Sequence, residues 1–179
     1  GATNSNIESI NAPSGYATPA LSLGRTSATS ELVNAFPMNN GLAINSTSPT
    51  SGYNPANPYL NRDPRFYSTI FYNGATWLRR GVQTFEGGLD KPGGTTIQTK
   101  TGFYVRKFMA DFSNNTAYTN QSHNFILFRY AEILLNYAEA LNEMGRTEDA
   151  VTQLKLIRAR AGITAGANAR YGIPTGVTQ

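Results

Sequence analysis

A chain of 179 residues with 40% apolar side chains is long enough for one ordinary domain with its own core. The absence of cysteine removes disulfides, thiolate nucleophiles and Cys-based zinc sites together. The formal charge of +4 has its excess in Arg62, Arg65, Arg79, Arg80, Lys91, Lys100, Arg106 and Lys107, set against Asp63, Glu86 and Asp90. These cations are scattered over several predicted strands and turns rather than lined up to neutralise successive phosphates, so nucleic acid is not an expected partner.

Residues 1–60 carry only Glu8, Arg25 and Glu31 as charges, among many Ser, Thr, Asn, Pro and Gly. Chains that stay disordered are usually highly charged, so this low-charge stretch reads as ordered loop. Within it Ser30-Glu-Leu-Val-Asn-Ala-Phe36 is a short predicted helix, with Ser30 as N-cap and Pro37 as its stop. Tyr53-Asn-Pro-Ala-Asn-Pro-Tyr59 is a proline-punctuated loop. Phe66-Tyr-Ser-Thr-Ile-Phe-Tyr72 has strand composition and leads through Asn73-Gly74 into Ala75–Arg80, which predicts a β-hairpin on a type I′ turn. Gly102–Met109 is a further candidate strand.

From Phe125 the period becomes helical, with Arg129, Glu132, Asn136, Glu139 and Glu143 forming one polar stripe on an otherwise apolar segment. Gly145 suits a left-handed C-cap, and Thr147 caps a second helix with Glu148 and Asp149 in its first turn. The short loop makes the two helices antiparallel neighbours, and Ala131, Ala138 and Ala140 let them approach closely, as in a tetratricopeptide-like pair. One pair cannot bury its own faces, so Ile126, Leu127, Ile133, Leu134 and Leu141 are expected either to form an exposed apolar patch or to meet further protein.

The segment Phe128-Arg-Tyr-Ala-Glu-Ile-Leu-Leu-Asn-Tyr-Ala-Glu-Ala-Leu-Asn-Glu-Met-Gly145, with Leu156-Ile-Arg-Ala-Arg-Ala-Gly162, resembles the helical pair of the SusD/RagB family. Glu31–Met38, Asn57–Phe66 leading into Thr69–Gly74, and Gly102–Phe108 agree with the same family in order. The resemblance implies a mainly α fold with extensive loops: a tetratricopeptide-like pair, a short β-hairpin and an irregular ligand-binding section. On that reading residues 1–124 are the loop-rich, ligand-binding section, 125–163 the helix pair and 164–179 an irregular tail, all within one larger SusD-like domain.

It also implies a non-enzymatic protein on the extracellular face of the outer membrane. Such a protein binds an oligosaccharide or polysaccharide nutrient and delivers it to a SusC-like TonB-dependent transporter. The family's lipidated cysteine is absent from this chain, which reads as an internal or C-terminal-region portion of a longer protein whose partners include the remaining segments of the same protein. The other class considered is a tetratricopeptide-like protein-interaction module without glycan binding.

A glycan site needs aromatic planes for the C–H faces of the sugar and polar side chains for its hydroxyl rim. Trp77, Tyr72, Asn73 and Arg79 are the candidates around the predicted turn, and Tyr53 and Tyr59 offer a second platform. Each aromatic has a packing alternative: Trp77 packing the hairpin against the helices, Tyr53 and Tyr59 as loop packing. Exposed Trp77 with Tyr72 favours glycan capture, whereas an exposed apolar helix face favours a protein partner.

Asp63 reads as structural, accepting from nearby backbone or an arginine. Glu132, Glu139 and Glu143 share one helix face rather than opposing each other across a substrate, and the single histidine, His123, reads as a polar helix entry. No phosphate loop or nucleophile elbow occurs, so catalysis, cofactor and metal are not expected.

Overall fold

A computed structural model describes residues 6–16, 22–95, 97–110, 112 and 115–177. Among them the elements run α1 (Ile7–Asn11), α2 (Ser30–Ala35), α3 (Pro64–Thr69), β1 (Ile70–Phe71), β2 (Thr76–Trp77), β3 (Arg80–Gly81), β4 (Tyr104–Val105), α4 (Tyr130–Glu143) and α5 (Thr147–Arg160). The fold is mainly helical with extensive loops and a short hairpin, as expected. The chain divides into two compact units, one of residues 1–34 and 66–124, the other of 35–65 and 125–179.

The predicted strand over Phe66–Tyr72 begins instead as a helix. Asp63 Oδ1 accepts the backbone N–H of Arg65 at 2.8 Å and Pro64 occupies the first helical position, so an N-cap and a preset φ start α3 despite its aromatic composition. Only Ile70 and Phe71 remain extended, pairing antiparallel with Val105 and Tyr104 rather than across the Asn73-Gly74 turn. That turn exists, with Ala75 N–H donating to Tyr72 O at 3.0 Å, but Gly74 alone takes positive φ, the type II pattern. The hairpin lies one step later, with Thr76 opposite Gly81, Trp77 opposite Arg80, and Leu78-Arg79 as its tip.

The core of the first unit gathers Ala12, Tyr16, Phe71, Ala75, Trp77, Leu78, Val82, Tyr104 and Tyr118. Beside it Glu8, fully buried on α1, accepts from Gln121 N–H at 3.1 Å and meets His123 Nε2 at 2.7 Å. His123 is therefore the partner of a buried carboxylate and not a helix entry, because α4 starts only at Tyr130. Phe125–Phe128 is an unbroken apolar run, a pattern whose period cannot separate helix from extended chain.

In the second unit α4 and α5 pack through Ala138, Leu141 and Ala150, with Leu154 against them. Gly145 takes φ 73°, and the bonds Gly145 N–H to Asn142 O and Arg146 N–H to Leu141 O complete the expected left-handed cap as a Schellman motif. Thr147 does not cap α5: it is the first helical residue, and its hydroxyl lies 3.1 Å from Asn142 Oδ1 across the loop. Likewise Thr29 rather than Ser30 caps α2, Thr29 Oγ1 accepting from Leu32 N–H.

Arg158 of α5 fixes the surrounding loops by donating to Gly41 O and Tyr171 O. The far side of α4 carries the predicted polar stripe. Between that stripe and the buried face, Tyr130, Ile133, Tyr137 and Met144 form a second apolar row that is exposed. Ile126, Leu127 and Ile133 of the expected patch are exposed, whereas Leu141 is buried under α5.

Candidate functional site

The pleat decides what the hairpin displays. Thr76 faces out and Trp77 faces in, leaving Trp77 only 2% exposed. Its ring meets Tyr16, Phe71 and Tyr118 at centroid distances of 5.0, 5.2 and 5.5 Å. Trp77 is thus a core plug and offers no stacking face, which removes the first candidate of the predicted glycan platform.

Leu78 and Arg79, which close the hairpin, both lie in the left-handed region at φ 47° and 63°. For side chains of this size that conformation costs on the order of 1–2 kcal/mol per residue, so the surroundings must hold it. Leu78 is anchored in the core. The Tyr16 hydroxyl lies 3.0 Å from Trp77 O and 3.2 Å from Arg80 O, sharing its proton between the two carbonyls that flank the tip. Burial pushes the Tyr16 phenol far above its ordinary pKa, so it stays a donor.

Arg80 stacks on the Tyr16 ring, 3.5 Å from its centroid, and forks onto the buried Asp90 carboxylate at 2.7 and 2.9 Å. Asp90 also accepts from Gln83 N–H and Gly15 N–H. Gly15 sits so near that a Cβ there would lie 2.6 Å from Leu89 O, so only glycine allows this closure. The one exposed side chain of the tip is Arg79, for which no hydrogen bond or ion pair is found among the described residues.

Asn73 and Tyr72 lie at the other end of the same ladder. Asn73 is exposed and its Oδ1 accepts from Thr84 N–H at 3.1 Å. Tyr72 is half-buried, stacked on Phe66 at 5.2 Å and edge-on to Tyr67 at 6.2 Å. At roughly 3.3 Å per residue, the two ends of the ladder are separated by on the order of 10 Å. Arg79, at the tip, therefore does not converge with Tyr72 and Asn73 on one point.

Tyr53 and Tyr59 belong to the second unit, both half-buried in the proline loop. Burial, then the neighbouring Tyr53, raises the Tyr59 phenol above its ordinary pKa. Below them Arg62 is buried and donates to Pro58 O and Phe36 O, shaping the loop. Asp63, also buried, takes the structural part expected of it by pairing with Arg65. This unit also has a groove of about 460 Å³ between Leu135, Ala138, Ala150, Leu154 and Ile173, lined mostly by apolar atoms. Sequence reasoning missed the tip itself, since neither Leu78 nor Arg79 is a turn residue, and only the distance from Tyr16 to Arg80 reveals the clamp.

The carboxylates Glu132, Glu139 and Glu143 are exposed along one face of α4, and Asp90 and Glu8 are engaged internally. Among the described residues no group of three or more His, Cys, Asp or Glu is placed to hold a metal ion.

The model of the SusD family matches residues 1–179. Among solved structures, the chain is similar to a SusD-like protein from Bacteroides fragilis NCTC 9343, at 28% identity and a TM-score of 0.72, over 92% of this chain and 35% of that one. It is also similar to a SusD-like carbohydrate binding protein from the same organism, at 27% identity and a TM-score of 0.55, over 84% of this chain and 29% of that one. The chain spans about a third of the length of these relatives. Among the curated proteins none matches.

Proposed function

Since the chain belongs to the SusD family, we propose that the protein carrying it captures an oligosaccharide or polysaccharide at the cell surface, without cleaving it, and passes it to a SusC-like TonB-dependent transporter. The observation that carries this reading is the family match along the whole chain, joined to 27% identity with a SusD-like carbohydrate binding protein. The place proposed for it is the extracellular face of the outer membrane; among the described residues no helix is long and apolar enough to cross a membrane.

The ligand-contacting residues proposed are Tyr72, Asn73 and Arg79 in the first unit and Tyr53 and Tyr59 in the second, with Trp77 withdrawn because it is buried. The half-buried Tyr72 beside the exposed Asn73 amide supplies a stacking face and a rim contact for a sugar, and the Arg79 guanidinium offers a separate donor at the tip. Of the two discriminating features, the Trp77 platform is absent and the apolar face of α4 is present. That face serves packing against further protein under either reading, so it does not count against glycan capture.

Titration calorimetry against a panel of oligosaccharides tests the proposal. Binding is expected to weaken in Tyr72→Ala and in the double variant Tyr53→Ala/Tyr59→Ala, with the sugars recovered uncleaved by chromatography. Full retention of binding in both variants moves the site elsewhere, and release of shorter sugars overturns the non-catalytic reading.

A further inference from the structure

We propose that the Leu78-Arg79 tip is an oxyanion-reading element, and that the oligosaccharide this protein binds is acidic, presenting a uronate carboxylate or a sulfate ester to Arg79. The proposal rests on the glycan-binding reading above and names the chemical class of its ligand.

Two consecutive bulky residues at positive φ form a hairpin tip that Asn-Gly would build without strain. Leu78 has a reason to be there, because its side chain fills the core. Arg79 has none in the fold: its side chain is exposed and anchors nothing among the described residues, and a glycine would satisfy the same φ. Strain retained for an exposed side chain is the signature of a contact made outside the chain.

The fold also holds this arginine ready. Leu78 below, the Tyr16 hydroxyl across Trp77 O and Arg80 O, and the Arg80–Asp90 fork leave the tip little freedom. Binding then has to order only the Arg79 side chain itself.

Charge selects an anion. Within this unit Asp90 is paired with Arg80, Glu86 with Lys91 and Glu8 with His123, so the carboxylates nearest in sequence to Arg79 are already engaged. A planar guanidinium binds a carboxylate or sulfate through two parallel N–H donors. Beside the tip the outward positions of the ladder are Thr76 and Gly81, both exposed and small. A Cβ on Gly81 would find its nearest atom at 3.9 Å, so no neighbouring group crowds that position.

The test compares the parent protein with Arg79→Gly and Arg79→Lys by calorimetry. The probes are oligogalacturonides for the carboxylate, sulfated galactan oligosaccharides for the sulfate, and neutral galactan oligosaccharides. In Arg79→Gly, affinity for one acidic series is expected to fall about tenfold or more, the size of a lost charge-assisted contact, and affinity for neutral sugars by markedly less. Arg79→Lys is expected to fall between, having the charge without the fork. The series that responds identifies the anion.

The melting temperature of Arg79→Gly should equal or exceed that of the parent, since glycine relieves the tip. A parent that binds only neutral sugars overturns the acidic assignment and leaves the glycan reading standing. Equal losses for acidic and neutral sugars, or a lowered melting temperature, overturn it as well. A parent that binds no sugar of any kind overturns the glycan reading itself.

Discussion

Trp77 contributes to the core through contact with three aromatic rings, yet its Nε1 finds no hydrogen-bond partner among the described residues. An unmade bond on a buried N–H costs about 1–3 kcal/mol, so shape rather than polarity keeps the residue in place. Trp77→Ala is expected to destabilise by about 3–5 kcal/mol, whereas Trp77→Phe should lose far less, because it removes the unsatisfied donor while retaining a ring. Thermal melts of the two variants decide this, and similar losses in both would contradict it. Tyr16 adds a pH dependence. Its ordinary pKa of 10.0 is raised in the folded state, so its contribution is complete below that value and is lost as pH rises through the folded pKa. Stability should therefore fall above about pH 10, and Tyr16→Phe should flatten that part of a denaturant-midpoint profile. An unchanged slope in the variant would assign the alkaline loss to other groups.

The helix pair was the most legible element, because a polar stripe at 3.6-residue spacing and a terminal glycine state both its phase and its end. Ala138 lies in the α4–α5 interface, as its phase requires. Ala138→Glu should accordingly bury an unpaired carboxylate beside Leu141 and Ala150, at a cost of several kcal/mol. A variant melting with the parent would place Ala138 outside the interface. The strands were the least legible. Composition alone put a strand over Phe66–Tyr72, where the Asp63-Pro64 start signal made a helix, and it put the hairpin on Asn73-Gly74 rather than on Leu78-Arg79. Two-residue strands carry too little pattern to outvote the contacts that set them: Ile70 and Phe71 are extended because Val105 and Tyr104 pair with them from more than thirty residues away.

At the scale of the whole molecule, the 179 residues leave Phe125 88% exposed, with Ile126, Leu127, Phe128, Tyr130, Ile133 and Tyr137 also open to solvent. Exposed apolar side chains in this number favour association or packing against further protein. The 179 residues expressed alone are expected to bind a hydrophobic dye and to self-associate, and Ile133→Lys with Tyr137→Lys should reduce both. A clean, dye-silent monomer by light scattering would show that the face is tolerated in water. The amino-acid sequence by itself determined the family, the mainly helical fold, the phase of the helix pair and the structural part of Asp63, because local periodicity, caps and ordered motifs are written in neighbouring residues. Only the tertiary structure decided which aromatic side chains reach solvent. Trp77, Tyr72 and Arg79 lie within eight residues of one another, and their fates were set by a pleat, by the ring of Phe66 and by the hydroxyl of Tyr16, contacts between segments that no local pattern encodes.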